Sequence, residues 1–140
     1  MPTDRALVDA VARLFKVTQC GIGRWLTVAA GGIFVANLFY LGSKPFAVGL
    51  IPSPWDKLAH LLAFGIIAGL LWLGLLRKHP VWVILVVTLI GSIDELHQYY
   101  FLPGRSGDIY DLLADVLAAL LAVSILHAVN HALTQRNARR

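Results

Sequence analysis

Long apolar runs alternate with short polar breaks along this chain. Four runs are long enough to cross a bilayer, since a spanning helix needs about 20 mostly apolar residues. They cover residues 25–41, 58–76, 81–102 and 108–129. The breaks contain residues that end helices and favour turns, such as Pro80 and the pair Pro103-Gly104. The pattern predicts an all-α protein with a four-helix transmembrane bundle.

The residues before the first run follow a different pattern. Leu7, Val11, Leu14 and Phe15 fall on one face of a helix, and charged residues occupy the other faces. A helix with this pattern lies in the membrane interface with its apolar side down. We therefore predict an amphipathic interfacial segment at 1–23, with a frayed polar tail as the alternative. The transmembrane domain then covers 24–131, and a basic cytoplasmic tail covers 132–140.

Composition supports a membrane location. The chain is 58% hydrophobic and 14% charged, whereas a soluble domain has about a quarter charged residues. The net charge of +4 does not predict a nucleic-acid partner, because the basic residues lie at the ends of the apolar runs. Cys20 is the only cysteine, which excludes an internal disulfide and a thiolate metal site.

The basic residues also predict the orientation. Loops rich in lysine and arginine stay in the cytoplasm. If both termini are cytoplasmic, only Lys44, Lys57 and Arg105 lie outside. The other nine basic residues lie inside: Arg5, Arg13, Lys16, Arg24, Arg77, Lys78, Arg136, Arg139 and Arg140. We therefore predict a multi-pass protein with both termini in the cytoplasm.

Residues 91–111, GSIDELHQYYFLPGRSGDIYD, place many polar side chains between apolar runs. At about 1.5 Å per residue, His60, Asp94 and Asp115 all lie about 20–24 Å from the inner ends of their helices. Three helices thus bring ionisable groups to one layer in the outer third of the membrane. Such groups avoid lipid and face a bundle interior or a wet cavity. We predict a polar pocket between the second, third and fourth spans that opens outward.

Twelve residues are candidates for this pocket. Carboxylates and imidazoles transfer protons in catalysis, so the catalytic candidates are His60, Asp94, Glu95, His97, Asp111 and Asp115. The candidates for substrate binding are Asp56, Lys57, Gln98, Arg105, Ser106 and Asp108.

Arg105 directly precedes a helix, where a guanidinium and free backbone N–H groups favour phosphate or carboxylate. In the alternative, Ser106 or Asp108 caps the helix, and Arg105 pairs with an acid: Asp108, Asp111 or Glu95.

The same residue types allow a divalent metal as cofactor. The candidate ligands are Asp94, His60 and Asp115, since carboxylate and imidazole suit zinc or manganese. An internally paired network, in which Lys57 and Arg105 compensate the acids, is the alternative.

The order of these motifs resembles the VanZ-like family of small membrane proteins. The resemblance covers residues 55–125 and rests on Asp56-Lys57-x-x-His60, Asp94-Glu95-x-x-Gln98, Pro103-Gly104-Arg105-Ser106 and Asp111. The family is named for a protein associated with resistance to the glycopeptide teicoplanin. The resemblance implies a multi-pass protein of the bacterial cytoplasmic membrane and brings no established reaction. Asp115 stands where we expect the family's Asn, and Ala118 where we expect a Gly.

Three classes of function fit these features. The first is an enzyme that acts on a lipid-linked phosphate or another cell-envelope precursor. The second is a non-catalytic binder of an envelope lipid or a glycopeptide. The third is a proton-coupled flippase or transporter, which is the least favoured because four helices offer no inner polar path. The sequence leaves the oligomeric state open.

Overall fold

The computed structural model describes residues 2–18, 20–76 and 79–139, which form five α-helices and no strand. The helices are α1 (Pro2–Val17), α2 (Gly21–Gly42), α3 (Trp55–Leu71), α4 (Pro80–Phe101) and α5 (Ile109–Ala138). A π-helical turn over Trp72–Leu76 extends α3, and a short 3-10 turn over Pro45–Ala47 lies in the loop after α2. Three of the basic residues used to predict the orientation, Arg77, Lys78 and Arg140, lie outside the described residues.

The predicted all-α class and the four membrane-spanning helices are confirmed. Four helical stretches are long and apolar enough to cross a membrane: Gly21–Gly42, Trp55–Leu75, Pro80–Phe101 and Ile109–Arg136. The largest difference from the predicted bounds is at the end of the chain, where α5 runs to Ala138 instead of ending at 129. Apolarity marks only the part of a helix that meets lipid, whereas the backbone hydrogen bonds continue into polar sequence.

The core of the bundle lies where α3, α4 and α5 meet. Its fully buried large apolar side chains include Phe64 and Ile67 from α3, and Val83 and Val87 from α4. Ala118 and Ala119 are the small buried residues of α5, and small residues let transmembrane helices approach closely. The α2 helix lies at the edge against α3. The three central helices therefore fix the positions of the polar residues.

The α1 helix contacts the bundle with only part of its apolar surface. Phe15 is buried, and its ring centroid lies 5.7 Å from that of Trp72 at the end of α3. Leu7 and Leu14 stay 67% and 53% exposed. The predicted N-terminal helix is thus present, and its exposed leucines suit a membrane surface. Its interfacial position stays a prediction.

The turn between α4 and α5 brings the chain back toward α4. Gly104 has φ +80°, a left-handed conformation that side-chain-bearing residues rarely adopt. Asp108 then begins α5, because its Oδ1 accepts a hydrogen bond from the backbone N–H of Tyr110 at 2.8 Å. This turn directs Arg105 and Asp108 toward the ends of α2 and α3.

The orientation is testable by chemical labelling. We expect a cysteine at Ser53 or Ser106, both exposed, to react with a membrane-impermeant maleimide added outside intact cells. A cysteine at Gln135, exposed near the end of α5, should react only after the cells are opened. The experiment needs a Cys20→Ser background, since Cys20 is exposed. Labelling of Gln135 from outside would reverse the predicted topology.

Candidate functional site

A cavity of about 370 Å³ lies between α2, the loop after it, α3, α4 and the start of α5, at the end of the bundle that carries the α4–α5 turn. This volume falls within the range typical of small-molecule sites. Eight of the twelve candidate residues line it: Asp56, His60, Asp94, Gln98, Arg105, Ser106, Asp108 and Asp111. The other four are Lys57, Glu95, His97 and Asp115. Of these, Lys57, Glu95 and Asp115 contact residues that line the cavity.

Lys57 holds three carboxylates together. Its Nζ lies 2.9 Å from Asp56 Oδ2, 2.8 Å from Asp108 Oδ2 and 2.7 Å from Asp111 Oδ1. The hydrogen bond from this ammonium lowers the pKa of Asp108 below its ordinary value. Lys57 therefore connects the beginnings of α3 and α5, and its positive charge is compensated by these three carboxylates.

His60 is oriented by Asp115. Its Nδ1 lies 3.0 Å from Asp115 Oδ1, so a proton on Nδ1 is donated to the carboxylate and Nε2 keeps a free electron pair. The ring stacks on Phe64 one turn further along α3, with the planes 4° apart. Nε2 then lies 3.8 Å from Asp111 Oδ2, at the cavity wall. A carboxylate and an aromatic ring thus set the direction in which the imidazole presents its basic nitrogen.

Asp115 itself occupies a tight position between α4 and α5. It is fully buried, and its Oδ2 has no hydrogen-bond partner. Gly91 on α4 faces it so closely that a Cβ at Gly91 would lie 2.5 Å from Oδ2. Glycine at position 91 therefore leaves room for the Asp115 carboxylate, which is hydrogen-bonded to His60.

The two acids of α4 have different environments. Asp94 Oδ2 accepts a hydrogen bond from Gln98 Nε2 at 3.0 Å, one helical turn further along the same helix. Glu95 Oε2 accepts the backbone N–H of Asp108 at 2.6 Å and so ties α4 to the start of α5. Its second oxygen, Oε1, is buried without a hydrogen-bond partner.

Arg105 is placed differently from the expected acid–guanidinium pair. Its Nη1 donates to the carbonyl oxygen of Gly42 at 2.9 Å, at the end of α2. It forms no ion pair within residues 2–18, 20–76 and 79–139, and Asp108 and Asp111 contact the Lys57 ammonium instead. Two backbone N–H groups at the start of α5 are also occupied, by Glu95 and by the Asp108 side chain. The guanidinium of Arg105 and the Ser106 hydroxyl are therefore the side-chain groups here that could bind an anion.

His97 lies apart from the acidic cluster. Its imidazole packs between the rings of Phe39 and Phe101, with centroid distances of 5.8 Å to each. Helical periodicity would place it near the face of Asp94 and Gln98, but its half-buried ring packs against Phe39 of α2. The structure gives it aromatic contacts in place of the predicted proton-transfer partners.

Two groups of residues bring possible metal ligands within 4.8 Å of one another: His60 with Glu95 and Asp111, and Asp56 with Asp108 and Asp111. The second group already surrounds the Lys57 ammonium. The predicted ligand set of Asp94, His60 and Asp115 is not brought together in this way, since Asp115 binds the far nitrogen of His60 and Asp94 binds Gln98.

The comparisons with known proteins agree with the motifs. A profile of the VanZ/LLP1 family matches residues 15–130. The chain belongs to this family. No curated protein and no solved structure gives a significant match. The region matched by the VanZ/LLP1 profile contains the first three spanning helices, most of the fourth and every residue of the cavity, so the site belongs to the family domain.

Some wall residues of this VanZ/LLP1 domain were missed by sequence reasoning. Val48, Leu50 and Ile51, in the loop after α2, line the cavity and remain exposed. Their signal was an apolar stretch inside a loop, which the search for polar residues passed over. The ring of Phe64 under His60 was also missed, because an apolar residue in a transmembrane helix carries no pattern of its own.

Proposed function

We propose that this chain binds the phosphate end of a lipid-linked envelope precursor in the cavity, from the outer side of the bacterial cytoplasmic membrane, and hydrolyses it. The observation that supports the proposal most directly is that Arg105 and His60 line one cavity. Arg105 is a cation without an acidic partner in the described part of the chain, and His60 is an oriented base.

The cavity offers separate surfaces for the two ends of such a molecule. Arg105 and Ser106 suit phosphate, because a guanidinium gives charge-assisted hydrogen bonds to its oxygens. Val48, Leu50 and Ile51 form an apolar, exposed wall, which suits a hydrocarbon chain entering from the membrane. A soluble phosphate compound has no hydrocarbon chain that could pack against this apolar wall.

Hydrolysis of a lipid diphosphate would use His60 as general base. Nε2 takes a proton from a water whose oxygen forms a bond to the terminal phosphorus, and the bond to the bridging oxygen breaks. Inorganic phosphate and the lipid monophosphate leave, with the bridging oxygen on the monophosphate. Asp115 stabilises the imidazolium that forms, as in other carboxylate–imidazole pairs. General base catalysis of this type contributes about 10²–10⁴-fold to a rate.

The test uses the purified full-length chain in nanodiscs, with a polyisoprenyl diphosphate as probe and the matching polyisoprenol as control. We expect the diphosphate to bind and the alcohol not to. Arg105→Gln should weaken binding about 10-fold or more, since a hydrogen bond to a charged group contributes about 1.5–3 kcal/mol. Arg24→Gln, at an exposed arginine at the other end of α2, is the matched control. Equal binding of diphosphate and alcohol would overturn the proposal.

Release of inorganic phosphate distinguishes an enzyme that hydrolyses the lipid diphosphate from a protein that only binds it. His60→Gln should reduce release at least about 100-fold while binding persists.

A non-catalytic binder of an envelope lipid or a glycopeptide such as teicoplanin is the second candidate. It is favoured by Lys57, Asp94 and Gln98, whose polar groups are already engaged with one another or with neighbouring acids. Tight binding of diphosphate or teicoplanin with no phosphate release would support this second candidate against hydrolysis.

A further inference from the structure

The site has more negative than positive groups. Six of the chain's eight acidic residues belong to it: Asp56, Asp94, Glu95, Asp108, Asp111 and Asp115. Lys57, Arg105 and His60 are the basic groups that line it or contact it. If all six acids are ionised, three of them remain uncompensated even when His60 is protonated. Ionised groups at this depth need partners, so the site calls for further positive charge.

One part of the site has the arrangement of a cation site. His60, Glu95 and Asp111 each offer a ligand atom, and the three atoms lie within 4.8 Å of one another. His60 Nε2 and Asp111 Oδ2 are 3.8 Å apart, which is too far for a hydrogen bond. Two ligands on one tetrahedral zinc ion, with bonds of about 2.0–2.1 Å, are about 3.4 Å apart. Asp111 Oδ1 is engaged by Lys57, so Oδ2 is the oxygen left for a ligand.

Glu95 supplies an independent observation. The residue is 8% exposed, and its buried Oε1 has no hydrogen-bond partner among the described residues. The backbone N–H of Asp108 holds the other oxygen at 2.6 Å, so the carboxylate cannot turn away without losing that bond. A buried carboxylate oxygen beside a histidine and a second carboxylate needs an electropositive partner.

The carboxylate of Asp115, which contacts the other nitrogen of the His60 ring, also fits a metal site. Metal-binding histidines usually donate their other ring N–H to a carboxylate or carbonyl, which fixes the tautomer. Asp115 lies 3.0 Å from Nδ1 in position to accept this bond, and Nε2 lies 3.8 Å from Asp111 Oδ2.

We propose that His60 Nε2, the Glu95 carboxylate and Asp111 Oδ2 bind a divalent cation of the zinc or manganese type. One nitrogen and two oxygen ligands suit these ions. His60 and Asp111 line the cavity, so a coordination position is left for a water or an oxygen of the ligand. The proposal rests on the proposed function and changes one role in it: with the ion bound, His60 Nε2 is a ligand, so the ion and not His60 would activate the attacking water. Beside Arg105, the ion would also attract a phosphate group that the acids otherwise repel.

Zinc binding to the full-length chain in nanodiscs tests the site directly. The protein carries no histidine tag and is treated with chelator before calorimetric titration with zinc chloride. His127 and His131, both exposed and one turn apart on α5, are replaced by glutamine in every sample, because such a pair binds zinc by itself. We expect one zinc per chain and a rise in melting temperature with zinc.

Three variants locate the ion. Glu95→Gln keeps an acceptor for the Asp108 N–H and should lower zinc affinity at least about 10-fold. Asp115→Asn should lower it about 10–100-fold through loss of the carboxylate behind His60. His97→Gln is the matched histidine control and should bind zinc as the parent does, since its ring packs against Phe39 and Phe101.

Absence of stoichiometric zinc binding in the parent, or unchanged affinity in both Glu95→Gln and Asp115→Asn, would overturn the metal site. If Glu95→Gln does not fold, Asp115→Asn decides alone. The lipid assay is separate: diphosphate binding without zinc binding overturns only the metal site. Zinc binding without diphosphate binding overturns only the proposed function.

Discussion

Replacing Lys57 with methionine should destabilise the bundle by about 2–3 kcal/mol. The substitution removes the ammonium that Asp56, Asp108 and Asp111 share and leaves three carboxylates close together. Removal of one partner of a fully buried ion pair costs about 3–5 kcal/mol, and the lower value here reflects the 25% exposure of the Lys57 side chain. Thermal unfolding in detergent, followed by tryptophan fluorescence, measures the change.

Two further variants show whether the shared charge is the cause. Lys44→Met removes a lysine whose Nζ lies 3.8 Å from the centroid of the Tyr40 ring, and it should cost no more than about 1 kcal/mol. The double variant Lys57→Met/Asp111→Asn should recover part of the lost stability, because one unpaired carboxylate becomes neutral. A Lys57→Met protein as stable as the parent would contradict the role given to this cluster.

Gly91→Ala should also destabilise the protein, by about 1–3 kcal/mol, as overpacking of a close-packed core does. The added Cβ would lie 2.5 Å from Asp115 Oδ2, and Asp115 is fully buried and bonded to His60. Either α4 and α5 separate or the carboxylate moves off the imidazole. The same unfolding measurement detects the first result, and reduced zinc affinity detects the second.

Gly65→Ala is the matched control on α3. A Cβ at Gly65 would have no heavy atom within 4 Å, so the substitution should change stability by less than about 1 kcal/mol. Equal losses for the two glycine variants would mean that the contact between Gly91 and Asp115 does not limit the packing of α4 and α5.

Helical periodicity and depth account for the proximity of several polar side chains in the candidate site. Asp108, Asp111 and Asp115 follow one stripe of a helix and lie together in the structure, where the last two are buried. His60 was predicted at the same depth as Asp115, and the two side chains are hydrogen-bonded. Both predictions depend only on the regular rise and turn of an α-helix, which the sequence fully specifies once the spans are known.

Pairing between helices was much harder to predict. Arg105 was expected to bind an acid or an anion, and the structure adds a bond to the Gly42 carbonyl at the end of α2. His97 shares a helix face with Asp94 within the error of periodicity, but its ring contacts Phe39. These contacts depend on how far α2 is rotated against α4, and lipid-facing residues of α2 give little pattern from which to read that rotation.

The sequence by itself determined that the chain spans a membrane four times and that its acids share one layer with His60. An apolar solvent forces both results, because the backbone must be helical and ionisable groups must face inward. Only the tertiary structure decided which partner each group has. Lys57 contacts three carboxylates and Asp115 contacts His60, whereas Glu95 Oε1 has no hydrogen-bond partner in the described part of the chain. The choice depends on differences of about one ångström between side chains from separate helices, set by close contacts such as Gly91 against Asp115.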